Sequence, residues 1–175
     1  MNKILYVMDF QDNTHYTYNI TEDTIIYHFS VDSSSVVDIH MVTEGATLYY
    51  YYNTINYHNN SFKITVEHLK NHTHSELFNH GVNVKDKKLD FLVDGIVPKN
   101  SIECICNQEN QIINMKNGKS TICPNLLIDN YDVNSNHAAY IGKFSEEKLF
   151  YLMSRGISFL EANRLLLNGF LINSD

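Results

Sequence analysis

Short apolar or alternating runs recur along most of this chain, spaced roughly ten residues apart as in folds built of many short strands. They fall at 24–29, 36–42, 47–52, 62–68, 89–93, 102–106, 112–115 and 125–129. The runs are rich in β-branched and aromatic residues with a period of two, which predicts strands. In the run at 62–66, Phe62, Ile64 and Val66 share one face while Lys63 and Thr65 share the other. The pattern changes only near the C-terminus, where two short helices are predicted at 146–155 and 159–168.

Many evenly spaced strands fit either a sandwich of hairpins or a solenoid. Hairpins need tight turns, and the chain has only 7 Gly and 2 Pro. Asn117-Gly118 is the one Asn-Gly or Asp-Gly step suited to a two-residue turn, apart from Asp94-Gly95, which lies inside a strand-like run. Asn clusters separate the runs instead: Asn53, Asn56, Asn59 and Asn60, then Asn107, Asn110, Asn114 and Asn117. Asn tolerates left-handed backbone, so these clusters are read as solenoid corners. Stacked rungs would then turn Ile64, Val66, Leu92 or Val93, Ile105 and Leu127 inward. The polar stretch 130–136 is read as a turn that ends the strand region just before His137.

In the first helix, Ser145 is the predicted cap, with Glu146 and Glu147 at the positive end of the dipole. Leu149, Phe150, Leu152 and Met153 form its apolar face, and Gly156 its stop. Ser158-Phe159-Leu160-Glu161 is a capping box for the second helix. Leu165, Leu166 and Phe170 continue that helix's apolar face, and Gly169 is read as following its end. Helices of about ten residues are marginal alone and must pack on something.

Composition narrows the function. Hydrophobic content of 43% indicates a packed domain rather than disorder. A net charge of −7 with no basic run argues against nucleic-acid binding. The first residues lack the pattern of a signal peptide, and no run approaches the length of a membrane span, so a cytoplasmic protein is expected. Three cysteines do not suggest a disulfide framework.

Candidate chemistry is sparse. His68, His72 and His74, with Glu76 and His80 beyond, loosely resemble the metal site of cupin barrels. Surface or edge histidines are the plainer reading of the same residues. A small cupin-like metal-binding β protein is therefore the alternative function. Cys104 and Cys106 lie two apart on a predicted strand and read as small core residues. Cys123 precedes Pro124 and is expected at an exposed turn. Asn117-Gly118-Lys119-Ser120 superficially matches the end of a P-loop, but Ile113 stands where the first glycine belongs, so no ATP site is expected.

The segment from His68 to Ile172 resembles the C-terminal part of the SufB/SufD proteins of the SUF iron–sulfur cluster assembly system. The resemblance is carried by Asn134-Ser135-Asn136-His137-Ala138-Ala139-Tyr140-Ile141-Gly142 and by Leu149-Phe150-Tyr151-Leu152-Met153-Ser154-Arg155-Gly156-Ile157. Ala162 through Phe170 adds to it. Weaker echoes are His68 with Thr73 and Ser75, Gly81-Val82, Asp94-Gly95-Ile96-Val97 and Gln108-Glu109-Asn110.

The resemblance implies an all-β dominated fold: a right-handed parallel β-helix over 1–142 with a short C-terminal helical pair in 143–175. It implies a non-enzymatic assembly subunit whose helices dock the ABC-type ATPase SufC. Tyr151, Arg155, Leu160 and Leu167 are the expected docking residues. The chain would pair with itself or with a second SufB/SufD-type chain. His137 is the candidate ligand for transient iron or an Fe–S cluster at the subunit junction, with no stably bound cofactor expected. There are departures. Family members are typically more than twice this length and carry an N-terminal helical region without counterpart in these 175 residues. The glutamate that follows the histidine in SufB is Ala138 here. In an ungapped alignment through Pro124, the functional cysteine of SufB falls at Gly118. The chain is therefore SufD-like in expectation.

Overall fold

The computed structural model describes residues 2–11 and 13–172. Eleven strands precede two helices: β1 (Lys3–Asp9), β2 (Thr14–Ile20), β3 (Thr24–Val31), β4 (Ser35–Met41), β5 (Thr47–Asn56), β6 (Asn60–His68), β7 (His74–Asn83), β8 (Lys88–Val97), β9 (Cys104–Asn114), β10 (Lys119–Ile128), β11 (Val133–Gly142), α1 (Glu146–Ser154) and α2 (Phe159–Ile172). Odd-numbered strands form one sheet in the order β1-β3-β5-β7-β9-β11, and even-numbered strands the other in the order β10-β8-β6-β4-β2. Every strand pair among the described residues is parallel. The chain thus alternates between two faces of a solenoid, and the hairpin sandwich is excluded.

Period-two alternation turns every second residue into the space between the sheets. Ile26, Tyr50 and Leu77 stack from the odd sheet; Val37, Ile64 and Val93 stack from the even one. Tyr52 lies flat on Phe62 at a 3.5 Å centroid distance, and Phe91 meets both edge-on. Ile64, Val66 and Val93 face inward as expected, and Leu92 outward. Ile105 and Leu127 do not: the register turns Cys104 and Cys106 inward around Ile105, and Leu126 and Ile128 inward around an exposed Leu127.

Most of the asparagines have a different role from the one expected. Asn53, Asn56, Asn107, Asn110 and Asn114 lie within strands, not at corners. Several form inward ladders. Asn56 Nδ2 donates to Asn83 Oδ1 at 3.0 Å, and Asn83 Nδ2 donates to Asn114 Oδ1 at 3.1 Å. Asn79 Nδ2 donates to Asn110 Oδ1 at 2.8 Å. An amide carries both donor and acceptor, so identical amides one rung apart satisfy each other in the buried interior. Left-handed corner residues are Asn13, Asp32, His72, Glu103 and Gly45, of which only the first is asparagine.

Three local expectations are also revised. The stretch 130–136 is not wholly a turn, because β11 begins at Val133. Cys123 and Pro124 lie in the middle of β10, with the exposed thiol on its outer side. Pro is tolerated there because β10 is the outermost strand of its sheet. Gly169 lies inside α2, which runs on to Ile172.

The open last rung and the helical pair

β10 and β11 form the last rung and leave one end of the solenoid open. β11 pairs with β9 and has no strand on its other side among the described residues. Val133, Ser135, His137, Ala139 and Ile141 register with Cys104, Cys106, Gln108, Asn110 and Ile112, all inward-facing residues of β9. The inward column Leu5, Ile26, Tyr50, Leu77 and Gln108 therefore ends in His137. With no further rung above it, His137 is exposed although it occupies a core-facing position. Gln108 beneath it is buried, donates Nε2–H to Asn125 O at 3.2 Å, and leaves Oε1 without a partner among the described residues. Ile128, Leu126 and Val133 complete a partly apolar mouth.

The outer face of the odd sheet carries a polar ladder that runs from β7 through β9 to this rung. His74 Nε2 contacts Glu76 Oε1 at 2.6 Å, Asn107 Nδ2 donates to that oxygen at 2.8 Å, and the Asn136 amide donates to Asn107 Oδ1 at 3.1 Å.

The histidines of the cupin-like alternative are not brought together. His68 is buried inside the solenoid against Thr73 Oγ1 at 2.7 Å and Ser75 Oγ at 2.9 Å. Burial, and to a lesser extent His74, lowers its pKa to about 4, so it is neutral. His72 sits on a corner between Glu103 at 3.0 Å and Glu44 at 3.6 Å, and His74 points outward to Glu76. Among the described residues no group of three or more His, Cys, Asp or Glu side chains is arranged to hold a metal. The Cys106 thiol is equally unsuited: burial pushes it up to about 11, Ser75 only partly opposing it. A protonated thiol is a poor nucleophile and a poor ligand.

α1 and α2 follow directly after β11. Ser145 Oγ accepts from the Lys148 amide at 3.4 Å, and Ser158 Oγ from the Glu161 amide at 3.3 Å, so both predicted caps form. Gly156, at φ +85°, stops α1 in a conformation that glycine adopts without strain. α2 is anchored on the outer face of the odd sheet, where Phe170 lies on buried His80 at 5.0 Å and meets Phe144 edge-on at 6.2 Å. A cleft of about 500 Å³ remains beside this anchor, lined among others by Gln111, Tyr140, Lys143 and Leu166.

The other side of the pair is uncovered. Leu149 and Leu152 are half-buried, but Phe150 and Met153, expected on the same packed face, are exposed. Tyr151, Phe159, Leu160 and Leu165 are exposed as well. Of the expected docking residues, Tyr151 and Leu160 are open to solvent, Arg155 places its guanidinium 5.3 Å from the Tyr151 ring centre, and Leu167 is half-buried. Phe150, read from sequence as part of the packed face of α1, and Phe159 of α2 also belong to this surface and were not among the expected docking residues. Their signal was a larger number of apolar residues on two short helices than one packed face each needs.

The family model for the SufBD core domain of SUF-system FeS cluster assembly matches residues 36–170. The iron–sulfur cluster assembly protein SufD of Bacillus subtilis is 31% identical over 112 residues, covering 63% of this chain and 26% of that protein. SufB of the same organism is 40% identical over 73 residues, covering 42% of this chain and 15% of that protein. An iron–sulfur cluster assembly SufBD family protein of Mycobacterium leprae is 50% identical over 48 residues, 27% of this chain and 12% of that protein. The matches thus span about a quarter or less of these relatives. No helix among the described residues is long and apolar enough to cross a membrane.

Proposed function

The chain belongs to the SufB/SufD family of iron–sulfur cluster assembly proteins, and on that premise we propose that it is a SufD-like, non-enzymatic subunit of a cytoplasmic SUF-type assembly. Its helical pair docks an ABC-type ATPase of the SufC kind. Its open rung meets a second SufB/SufD-type chain, in a homodimer or a heterodimer. Iron or a nascent Fe–S cluster is transient cargo at that junction, with His137 as one ligand.

The observation that carries this reading is the position of His137. It stands in a core-facing column at an end of the solenoid where no rung covers it. Bare strand edges are normally paired or covered, and a partner that covers this one encloses the imidazole. Neutral imidazole ligates iron, but a cluster needs several ligands, mostly thiolates. The remaining ligands must come from across the junction, because Cys104 and Cys106 are buried below and Cys123 lies on the outer side of β10. Alanine at 138 and glycine at 118, where SufB has glutamate and cysteine, support the SufD-like assignment.

Co-purification with a SufC-type ATPase and a SufB-type chain, followed by anaerobic reconstitution with iron and sulfide, tests the reading. A ternary complex whose cluster transfer depends on His137 supports it. Failure of both partners to bind, under conditions where a full-length SufD binds them, overturns it.

A further inference from the structure

Beneath His137 lies a buried oxygen with nothing to bond. Gln108 is 3% exposed, and its Nε2–H donates to Asn125 O at 3.2 Å. Asn125 O is a backbone carbonyl and only accepts, so the amide cannot be turned over, and Oε1 is held on the side away from β10. That oxygen has no hydrogen-bond partner among the described residues. A buried acceptor left without a donor is costly. The neighbours of Gln108 offer one free donor. Beneath it on β7 is Leu77, which has none. Beside it on β9, the Cys106 thiol is engaged with Ser75, and Asn110 Nδ2 donates to Ala138 O at 3.4 Å. Across from it on β8, Gly95 has no side chain, and a Cβ there would stand 2.9 Å from Gln108 Nε2. Above it on β11 is His137, in register and on the same face. No hydrogen bond among the described residues engages the His137 imidazole. Ser135 and Ala139, the next inward residues of β11, are in register with Cys106 and Asn110 instead.

We propose that Gln108 is the positioning residue for His137: its Oε1 accepts from the imidazole Nδ1–H, which fixes the ring in the mouth and leaves Nε2 bare for cargo. This rests on the reading of His137 as a ligand for iron or a cluster. An imidazole that binds a metal through one nitrogen nearly always donates its other N–H to a fixed acceptor, and that bond decides which nitrogen is free. Nδ1 is the nitrogen nearer the main chain and so nearer a side chain one rung below. Nε2 is at the ring tip, where groups of another chain can reach it. The acceptor is a neutral amide rather than a carboxylate, so the imidazole stays neutral, the form that ligates iron. His137 is exposed, so no neighbouring rung opposes the side-chain rotation that makes the contact. Where the imidazole is removed, water at the open mouth takes its place on Oε1. In the isolated chain the bond therefore sets orientation rather than stability.

The tautomer can be read in the isolated chain, with neither metal nor partner, from the nitrogen-15 shifts of the ring. The measurement is made at about pH 8.5, where an ordinary imidazole is neutral, and His137→Gln identifies the signals. A free imidazole favours the Nε2–H form, so Nδ1–H at His137 is a distinctive result. The unaltered chain is expected to hold the Nδ1–H form. Gln108→Met keeps the length of the side chain, takes away the acceptor, and is expected to lose that form. In the reconstituted assembly Gln108→Met is expected to lower cluster or iron transfer about 10–100-fold, the usual cost of losing such a partner, with ATPase binding unchanged. An Nε2–H form in the unaltered chain overturns the proposal without any variant having to fold. So does an unchanged tautomer in Gln108→Met, or normal transfer by Gln108→Met in an assembly where His137→Ala abolishes it. An Nδ1–H form that Gln108→Met removes, in an assembly indifferent to His137→Ala, supports the hydrogen bond and overturns the ligand role of His137 instead.

Discussion

His137 of β11 is in register with Gln108 of β9, on the side of both strands that faces the solenoid axis. One is buried and the other exposed only because the solenoid stops between them and the solvent. A side chain in that position contributes little to the isolated fold. It would become an interior group if another chain closed the mouth, as the proposed assembly requires.

His137→Ala should therefore leave the unfolding midpoint of the isolated chain nearly unchanged, within about 0.5 kcal/mol as for ordinary surface positions. In a reconstituted assembly it should reduce cluster or iron transfer while leaving ATPase binding intact. Loss of the fold on this substitution would make the histidine structural and remove it from the junction chemistry.

Leu160→Asp probes the helical pair. Leu160 is 80% exposed, so a charge there costs the free protein little. In a dry docked interface an unpaired charge is costly. Loss of a central contact typically removes about 2 kcal/mol, or roughly thirtyfold in affinity. Titration of a SufC-type ATPase against both proteins, with circular dichroism as the control for folding, measures the difference. Equal affinity would leave the pair as a cap on the solenoid alone. Phe159→Ser should act in the same direction, because Phe159 is exposed on the same helix.

Much of the architecture was legible because one period governs most of the chain. Runs such as Phe62–Val66 alternate cleanly, and a solenoid repeats that alternation rung after rung. The reading faltered where both faces are apolar. Leu126-Leu127-Ile128 offers a large hydrophobe to either side, and only the register with β8 places Leu127 outside. Around Ile105 two readings competed, Ile105 inward and Cys104 with Cys106 as small core residues, and the register decides for the cysteines, with Cys106 filling the narrow space beside Gly95. The asparagines pointed to a solenoid for a reason that holds at few of them, because ladders between rungs exist only once rungs are stacked. β1, β2 and β7 escaped the count of runs, and the two runs at 102–106 and 112–115 belong to one strand, β9, whose polar middle Asn107–Gln111 hid its continuity. His137 was found through its motif, but its placement at an uncovered core position depends on where the strands end, which no local pattern carries.

The buried histidines make stability depend on pH. His28 has Nδ1 2.6 Å from Tyr50 Oη and Nε2 3.8 Å from Asp9 Oδ2, and burial lowers its pKa to about 4 against the opposing pull of Asp9. His68 is lowered to about 4 as well. In the unfolded chain both titrate near 6.5. Above that value both states hold neutral rings and the fold keeps its full stability. As pH falls from 6.5 toward 4, the unfolded chain takes up protons that the native interior refuses, and stability is lost. Each ring can contribute up to about 3 kcal/mol by pH 4. Urea midpoints at pH 7.5, 6.0 and 5.0 should fall in that order, and His68→Gln should flatten the slope. A flat profile across this window would place both rings in contact with solvent.

Gly95 supplies the last prediction. It sits inside β8, third from its end, where a strand gains nothing from glycine's flexibility and loses side-chain packing. Its role is space. A Cβ at this position would lie 2.6 Å from Cys106 Sγ and 2.9 Å from Gln108 Nε2. Gln108 is long enough to swing aside, whereas the Cys106 thiol is short and held in the interior at the foot of the open mouth. Gly95→Ala should therefore destabilise the chain by about 1–3 kcal/mol, the usual cost of overpacking a filled core. Cys106→Ala alone removes a sulfur and leaves a small void, with a modest loss of its own. The double variant should recover part of the stability lost in Gly95→Ala, because the added methyl occupies the volume the sulfur vacated. Thermal or urea unfolding of the four proteins gives the coupling directly. Additive losses would mean that the clash is relieved by movement of β8 itself and that Gly95 and Cys106 do not share one space.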